Sequence, residues 1–122
     1  MKHTPHPYQK KLDRVLARMG GLYTAQDILD AVHKSKMQMF SQGDSIAITQ
    51  IGVYPRAKVL EILGVIGDIK DLRILHDRLL IFAAETGCSV IQAFGRKGWL
   101  ADAQRRGWTT KARGYVYQRD VT

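Results

Sequence analysis

The sequence predicts a single α/β (α+β) domain built on a mixed sheet, and three observations lead there. Two β-rich runs, Ser45–Ile51 and Ala57–Leu63, flank the Pro-containing break Gly52-Val53-Tyr54-Pro55-Arg56 and read as an antiparallel hairpin. After Gly64-Val65-Ile66-Gly67, Asp68 and Asp71 stand where the N-cap and N3 of a long helix belong, and that helix continues to Gly87. A buried strand, Cys88–Phe94, follows at once, so strand, helix and strand form a β-α-β crossover that favours right-handed parallel pairing.

The chain opens on Met1-Lys2-His3-Thr4-Pro5-His6-Pro7, a poor helix that reads as a loose arm with no apolar signal-peptide segment behind it. From Tyr8 to Met19, Leu12, Val15, Leu16 and Met19 recur at helical spacing, with Lys10, Lys11, Arg14 and Arg18 turned mostly away. Gly20-Gly21 ends this basic amphipathic helix. Residues 1–21 are therefore expected as a basic arm and helix, and 22–122 as the main domain.

Thr24 and Asp27 form a capping-box pattern for a second helix, with Ile28, Leu29 and Val32 on its apolar face and its end near Lys34. Lys36–Phe40 alternates as a short strand with Met37 and Met39 on one face, and Ser41-Gln42-Gly43-Asp44 reads as the turn into the hairpin.

Both alternation sets of the hairpin are apolar. Ile46 and Ile48 oppose Ala47, Ile51 and Val53, and Leu60, Ile62 and Ile66 oppose Val59, Leu63 and Val65. Such strands are central ones, covered by helices on both sides. The long helix carries Ile69, Leu72, Leu75, Leu79, Phe82 and Ala83 on one stripe. Its last turns, Leu79–Ala84, are apolar nearly all round and are expected to be deeply buried. His76 lies near the stripe and reads as a packed, hydrogen-bonded residue, since no second ligand stands at metal spacing. Trp99–Arg106 reads as a short helix ending at Gly107, and Gly114–Val121 as the closing strand.

Composition narrows the function classes. The lone Cys88 excludes an intrachain disulfide and a cysteine-rich metal site, which suits a reducing compartment. No apolar run approaches the roughly 20 residues of a membrane span. The net charge of +8 is uneven. Residues 1–26 carry five Lys/Arg against Asp13, and 86–122 carry seven against Asp102 and Asp120. The middle is nearly balanced, with seven basic and eight acidic side chains. Basic ends point to an anionic partner, nucleic acid or an acidic protein surface, or to plain solvation.

The order of elements resembles the GCN5-related N-acetyltransferase (GNAT) fold, including the Gly-aromatic pair Gly107-Trp108 before the final strand. Locally the chain is most similar to small GNAT-like proteins of tailed bacteriophages. The matching stretches are Leu22-Tyr23-Thr24 with Asp27-Ile28, Tyr54-Pro55-Arg56, Gly87-Cys88 and Gly95-Arg96-Lys97-Gly98-Trp99. This resemblance, over about residues 22–121, implies a virion-associated or internal virion protein, found in the particle or the host cytoplasm.

The same resemblance would place acetyl-CoA at the start of the long helix, held by a basic residue or Gln followed by Gly-x-Gly/Ala. Here only Gly64 and Gly67 remain, wrongly spaced, and Asp68 and Asp71 set two negative charges against a diphosphate. The expectation is thus no cofactor and no catalysis. If the chain were an acetyltransferase, Gly64 and Gly67 would line the cofactor, while Glu61, Tyr115 and Tyr117 would be its acid–base candidates. Cys88 has no basic neighbour in sequence to activate its thiol.

For binding, Arg96, Lys97, Arg105, Arg106, Lys111 and Arg113 interleave with Trp99, Trp108, Tyr115 and glycines, as in surfaces that pair cations with phosphates and rings with bases. Trp99 and Trp108 sit at helix boundaries and are expected to anchor turns to the core. The partners expected are other phage proteins, a second copy of the chain, or DNA.

Overall fold

A computed structural model describes residues 9–94, 104–111 and 116–121. Its elements run α1 (Gln9–Arg18), α2 (Ala25–His33), β1 (Gln38–Gln42), β2 (Ser45–Val53), β3 (Lys58–Ile66), α3 (Ile69–Glu85), β4 (Val90–Phe94), β5 (Thr109–Lys111) and β6 (Val116–Asp120). The six strands among the described residues form one sheet in the order β1-β2-β3-β4-β6-β5. Among the described residues only β3 and β4, the strands joined through α3, pair in parallel; the other neighbours are antiparallel. This is the mixed sheet with a β-α-β crossover that the sequence predicts.

Each face of the sheet is covered by a different part of the chain. Leu75, Leu79 and Ala83 of α3 pack with Ala47, Leu60, Ile62, Ile91 and Trp108. On the other face Leu12, Val15, Leu16 and Met19 of α1 join Ile28 of α2 against Ile46, Ile48 and Ile66. The helix termini form as read: Thr24 and Asp27 make a complete capping box, and Lys34 closes α2. Lys58 Nζ donates to the Thr86 carbonyl, placing a cation at the C-terminal end of α3.

Four expectations are corrected. The first strand is shifted to Gln38–Gln42 and forms its own hairpin with β2, because Gly43 takes φ +56° and needs only Asp44 beside it to reverse the chain. A register shift then separates the pairs Ile48–Gly64 and Thr49–Ile62, leaving Leu63 as an extra residue in β3. Beyond this bulge the alternation inverts: Val65 joins the core under α3 with Leu60 and Ile62, and Ile66 joins Leu63 under α1. The expected grouping of Ile66 with Leu60 therefore fails.

The last turns of α3 are also less enclosed than their composition implies. Ile81 is 59% exposed, since α3 covers the sheet with one face only. Finally, β5 is a strand the sequence did not signal. Its three residues, Thr-Thr-Lys, are too few to show a period and are defined by pairing with β6.

Candidate functional site

The clearest opening in the sheet lies where β3 leaves β4. The parallel ladder runs from Val59–Val90 to Ile62–Ala93 and stops there. Leu63 bulges, the rest of β3 pairs among the described residues with β2 alone, and α3 starts three residues after the strand ends. The carboxyl ends of two parallel strands, with a helix N-terminus above them, are where open α/β sheets hold ligands.

The residues at that end are committed to one another. Asp68 is the N-cap of α3, and its Oδ1 accepts from the Asp71 amide at 2.9 Å. The Asp71 carboxylate lies against the β1–β2 turn, with Oδ2 2.5 Å from where a Cβ on Gly43 would stand. Lys11 Nζ, from α1, donates to the Gly43 carbonyl at 3.0 Å. Gly67 has φ +144°, and a Cβ there would overlap the Ser45 hydroxyl. Ser45 itself is fully buried, and its Oγ has no hydrogen-bond partner among the described residues. Gly64 is not at the helix start at all. It lies within β3, where a Cβ would stand 2.7 Å from Met19 Cγ and 2.8 Å from Val15 Cγ2. Its missing side chain lets α1 approach the sheet.

A diphosphate at this end would meet one amide already bonded to a carboxylate and a second carboxylate beside it. The residues present do not suit that group.

Glu61 stands in β3 between Gln50 of β2 and Gln92 of β4. Its Oε1 accepts from the Tyr54 hydroxyl at 2.8 Å, and its carboxylate lies across Gly52, where a Cβ would collide with it. That hydrogen bond, reinforced by the charge of Glu61, raises the Tyr54 pKa above the usual 10. Glu61 is thus tied back to the hairpin turn. Tyr117, in β6, pairs with Ala93, one position along from the Gln92 that neighbours Glu61. Register does not bring Glu61 and Tyr117 together. Tyr115 lies outside the described residues.

Of the basic candidates, Arg96, Lys97 and Arg113 lie outside the described residues, and Lys111 is the last residue of β5. Arg105 is exposed and Arg106 half-buried. Arg119, from β6, joins them: its guanidinium lies 3.4 Å from where a Gly107 Cβ would be. Sequence reading missed Arg119, because only the β5–β6 pairing carries it to the Gly107 turn.

Behind this turn Trp108 is buried and its Nε1 donates to His76 Nε2 at 2.9 Å. With Nε2 accepting, the ring proton sits on Nδ1, which faces Asp77 Oδ1 at 3.1 Å. Burial pushes the His76 pKa below 6.5; Asp77 opposes that shift, and the charges of Arg106 and Arg119 add to it. His76 is thus the packed, hydrogen-bonded residue and Trp108 the core anchor that the sequence predicts, while their contact with each other is not legible there. Among the described residues no group of three His, Cys, Asp or Glu could hold a metal ion, and no helix is long and apolar enough to cross a membrane.

No protein-family model matches the chain, and no curated protein matches it. Among solved structures it is similar to a protein from Desulfovibrio desulfuricans assigned to the GNAT family of acetyltransferases. The identity is 14%, the TM-score 0.56, and the match covers 99% of this chain and 98% of that one. At that identity the likeness is one of architecture: this chain has a GNAT-like fold.

Proposed function

We propose that this GNAT-like domain works by association and not by acetyl transfer, as a virion-associated or assembly component of a tailed bacteriophage. It would act in the particle or the host cytoplasm without a cofactor, its basic ends meeting a protein partner or DNA. The observation that supports the non-catalytic part is the start of α3, where Asp68 holds the Asp71 amide and Asp71 adds a second negative charge. Each such carboxylate opposes a bound anion by about 0.3–1 kcal/mol even when exposed. The phage setting is supported by the short local sequence matches, such as Tyr54-Pro55-Arg56 and Gly95-Arg96-Lys97-Gly98-Trp99. The grouping of Arg105, Arg106 and Arg119 around Gly107 supports an anionic partner surface.

A second reading, a small acetyl-CoA-dependent N-acetyltransferase, is favoured by one observation: β3 and β4 part after Ile62 and Ala93, beneath the start of α3. Isothermal titration with acetyl-CoA separates the two. The proposal expects no saturable heat, and micromolar affinity would overturn it. Copurification with assembled particles tests the phage role, and duplex and single-strand binding at two salt concentrations tests DNA as the partner.

A further inference from the structure

We infer that the outer face of α1 is a contact surface for the phosphate backbone of duplex DNA, carried by Lys10, Arg14 and Arg18. This rests on the reading of the basic ends as surfaces that meet an anionic partner, and it names one end and its ligand.

The apolar stripe of α1 is fully committed. Leu12, Val15, Leu16 and Met19 are buried against Ile46, Ile48 and Ile66 of the sheet, which fixes the side of the helix that faces outward. Lys10, Arg14 and Arg18 follow at i, i+4 and i+8 along that side, and all three are exposed. At about 1.5 Å per residue the row is about 12 Å long. One strand of a duplex presents a phosphate about every 3.4 Å of its axis, so the row runs beside roughly three to four of them.

None of the three cations has a hydrogen bond or ion pair to another described residue. Lys11 stands off the row, its Nζ donating to the Gly43 carbonyl. Asp13 lies on the flank, exposed, and lowers the positive field near Lys10 by one charge.

Anionic partners differ in what else they require. A membrane surface takes an amphipathic helix by its apolar face, and here that face lies against the sheet. A protein interface centres on an apolar or aromatic anchor, whereas the exposed residues between Lys10 and Arg18 are Asp13, Arg14 and Ala17. Single strands are held by rings that stack on bases, and α1 contains no aromatic residue. A row of cations without a ring or an apolar anchor suits a duplex backbone approached from outside, with no reading of base sequence. Trp108 and its turn pack with α3 on the other face of the sheet, so the α1 row and the arginines around Gly107 can be tested separately.

Fluorescence anisotropy of the whole chain on two duplexes of unrelated sequence, from about 50 to 200 mM salt, tests this. The native chain is expected to bind both alike, with affinity falling steeply as salt rises. Lys10→Gln, Arg14→Gln and Arg18→Gln are each expected to weaken binding to both duplexes. Each should flatten log K against log salt by about 0.9, and the triple variant by about 2.7. Arg14→Lys with Arg18→Lys is expected to keep the native slope, since a backbone phosphate requires only the charge. The three positions are exposed and Gln is as good a helix former as Lys or Arg, so the fold persists, which circular dichroism verifies. Duplex binding with an unchanged slope in the triple variant overturns the inference and leaves Arg105, Arg106 and Arg119 as the anionic surface. No duplex binding by the native chain at about 50 mM salt overturns both the inference and DNA as a partner. A loss confined to one of the two sequences overturns it as well. So does affinity for phosphatidylserine vesicles or polyglutamate with none for duplex.

Discussion

Trp108 Nε1 donates to His76 Nε2 at 2.9 Å, joining the turn before β5 to the middle of α3 across 32 residues of sequence. The bond needs a neutral imidazole, because a protonated Nε2 is a second donor facing the indole N–H. Burial, aided by Arg106 and Arg119, lowers the His76 pKa, so the native state binds this proton less readily than the unfolded chain. The stabilisation is therefore complete above pH 6.5 and is lost as pH falls below it. Denaturation midpoints at about pH 7.5 and 5.5 are expected to fall with acidification in the native protein. His76→Gln keeps an acceptor for Trp108 without titrating, and its midpoint is expected to fall less over the same interval.

Asp68 has two separable effects, capping and charge. Asp68→Ala removes the acceptor for the Asp71 amide and is expected to destabilise the fold by about 1 kcal/mol, read from chemical denaturation. Asp68→Ser keeps a capping oxygen and loses only charge. Combined with Asp71→Asn it is expected to leave stability within about 0.5 kcal/mol and to strengthen inorganic phosphate binding at low salt, measured by calorimetry.

Gly64 sets the approach of α1 to the sheet. Gly64→Ala puts a methyl against Met19 Cγ and Val15 Cγ2, in a core region where Val15 is fully buried. The expected loss is about 1–3 kcal/mol. In a double-mutant cycle with Val15→Ala the two losses are expected to be less than additive, since the smaller residue at 15 leaves room for the methyl.

The Tyr54–Glu61 bond predicts a spectroscopic signature. Glu61→Gln removes the charge that raises the Tyr54 pKa, so an alkaline absorbance titration is expected to show one tyrosine ionising at lower pH than in the native chain. Tyr54→Phe is expected to abolish the difference between the two titrations.

What the sequence disclosed was mostly what is encoded within one or two turns of chain. Thr24 with Asp27, and Asp68 with Asp71, are read from spacing because the capping partner lies three residues away. The apolar runs on both alternation sets of β2 and β3 announced a sheet covered on two faces. Hidden features depend on distant partners. The bulge at Leu63 is visible only against β2, and it moved Val65 and Ile66 to faces that strict alternation denies them. Arg119 reaches Gly107, and Asp71 reaches Gly43, through pairings that no local pattern contains. The site candidates divide in the same way. The carboxylates at the start of α3 were legible from spacing, while the tie from Glu61 to Tyr54 required the hairpin to close.

The extra residue at Leu63 has a consequence for how this chain tolerates change in length. Deleting it would make the pairing with β2 regular and leave Ile62, Gly64, Val65 and Ile66 alternating strictly between the two faces, each on the side it already occupies. Gly64 would still lie beneath Met19, and the first helix would keep its seat. The surplus amino acid is thus a length that the strand can lose without turning any later side chain over.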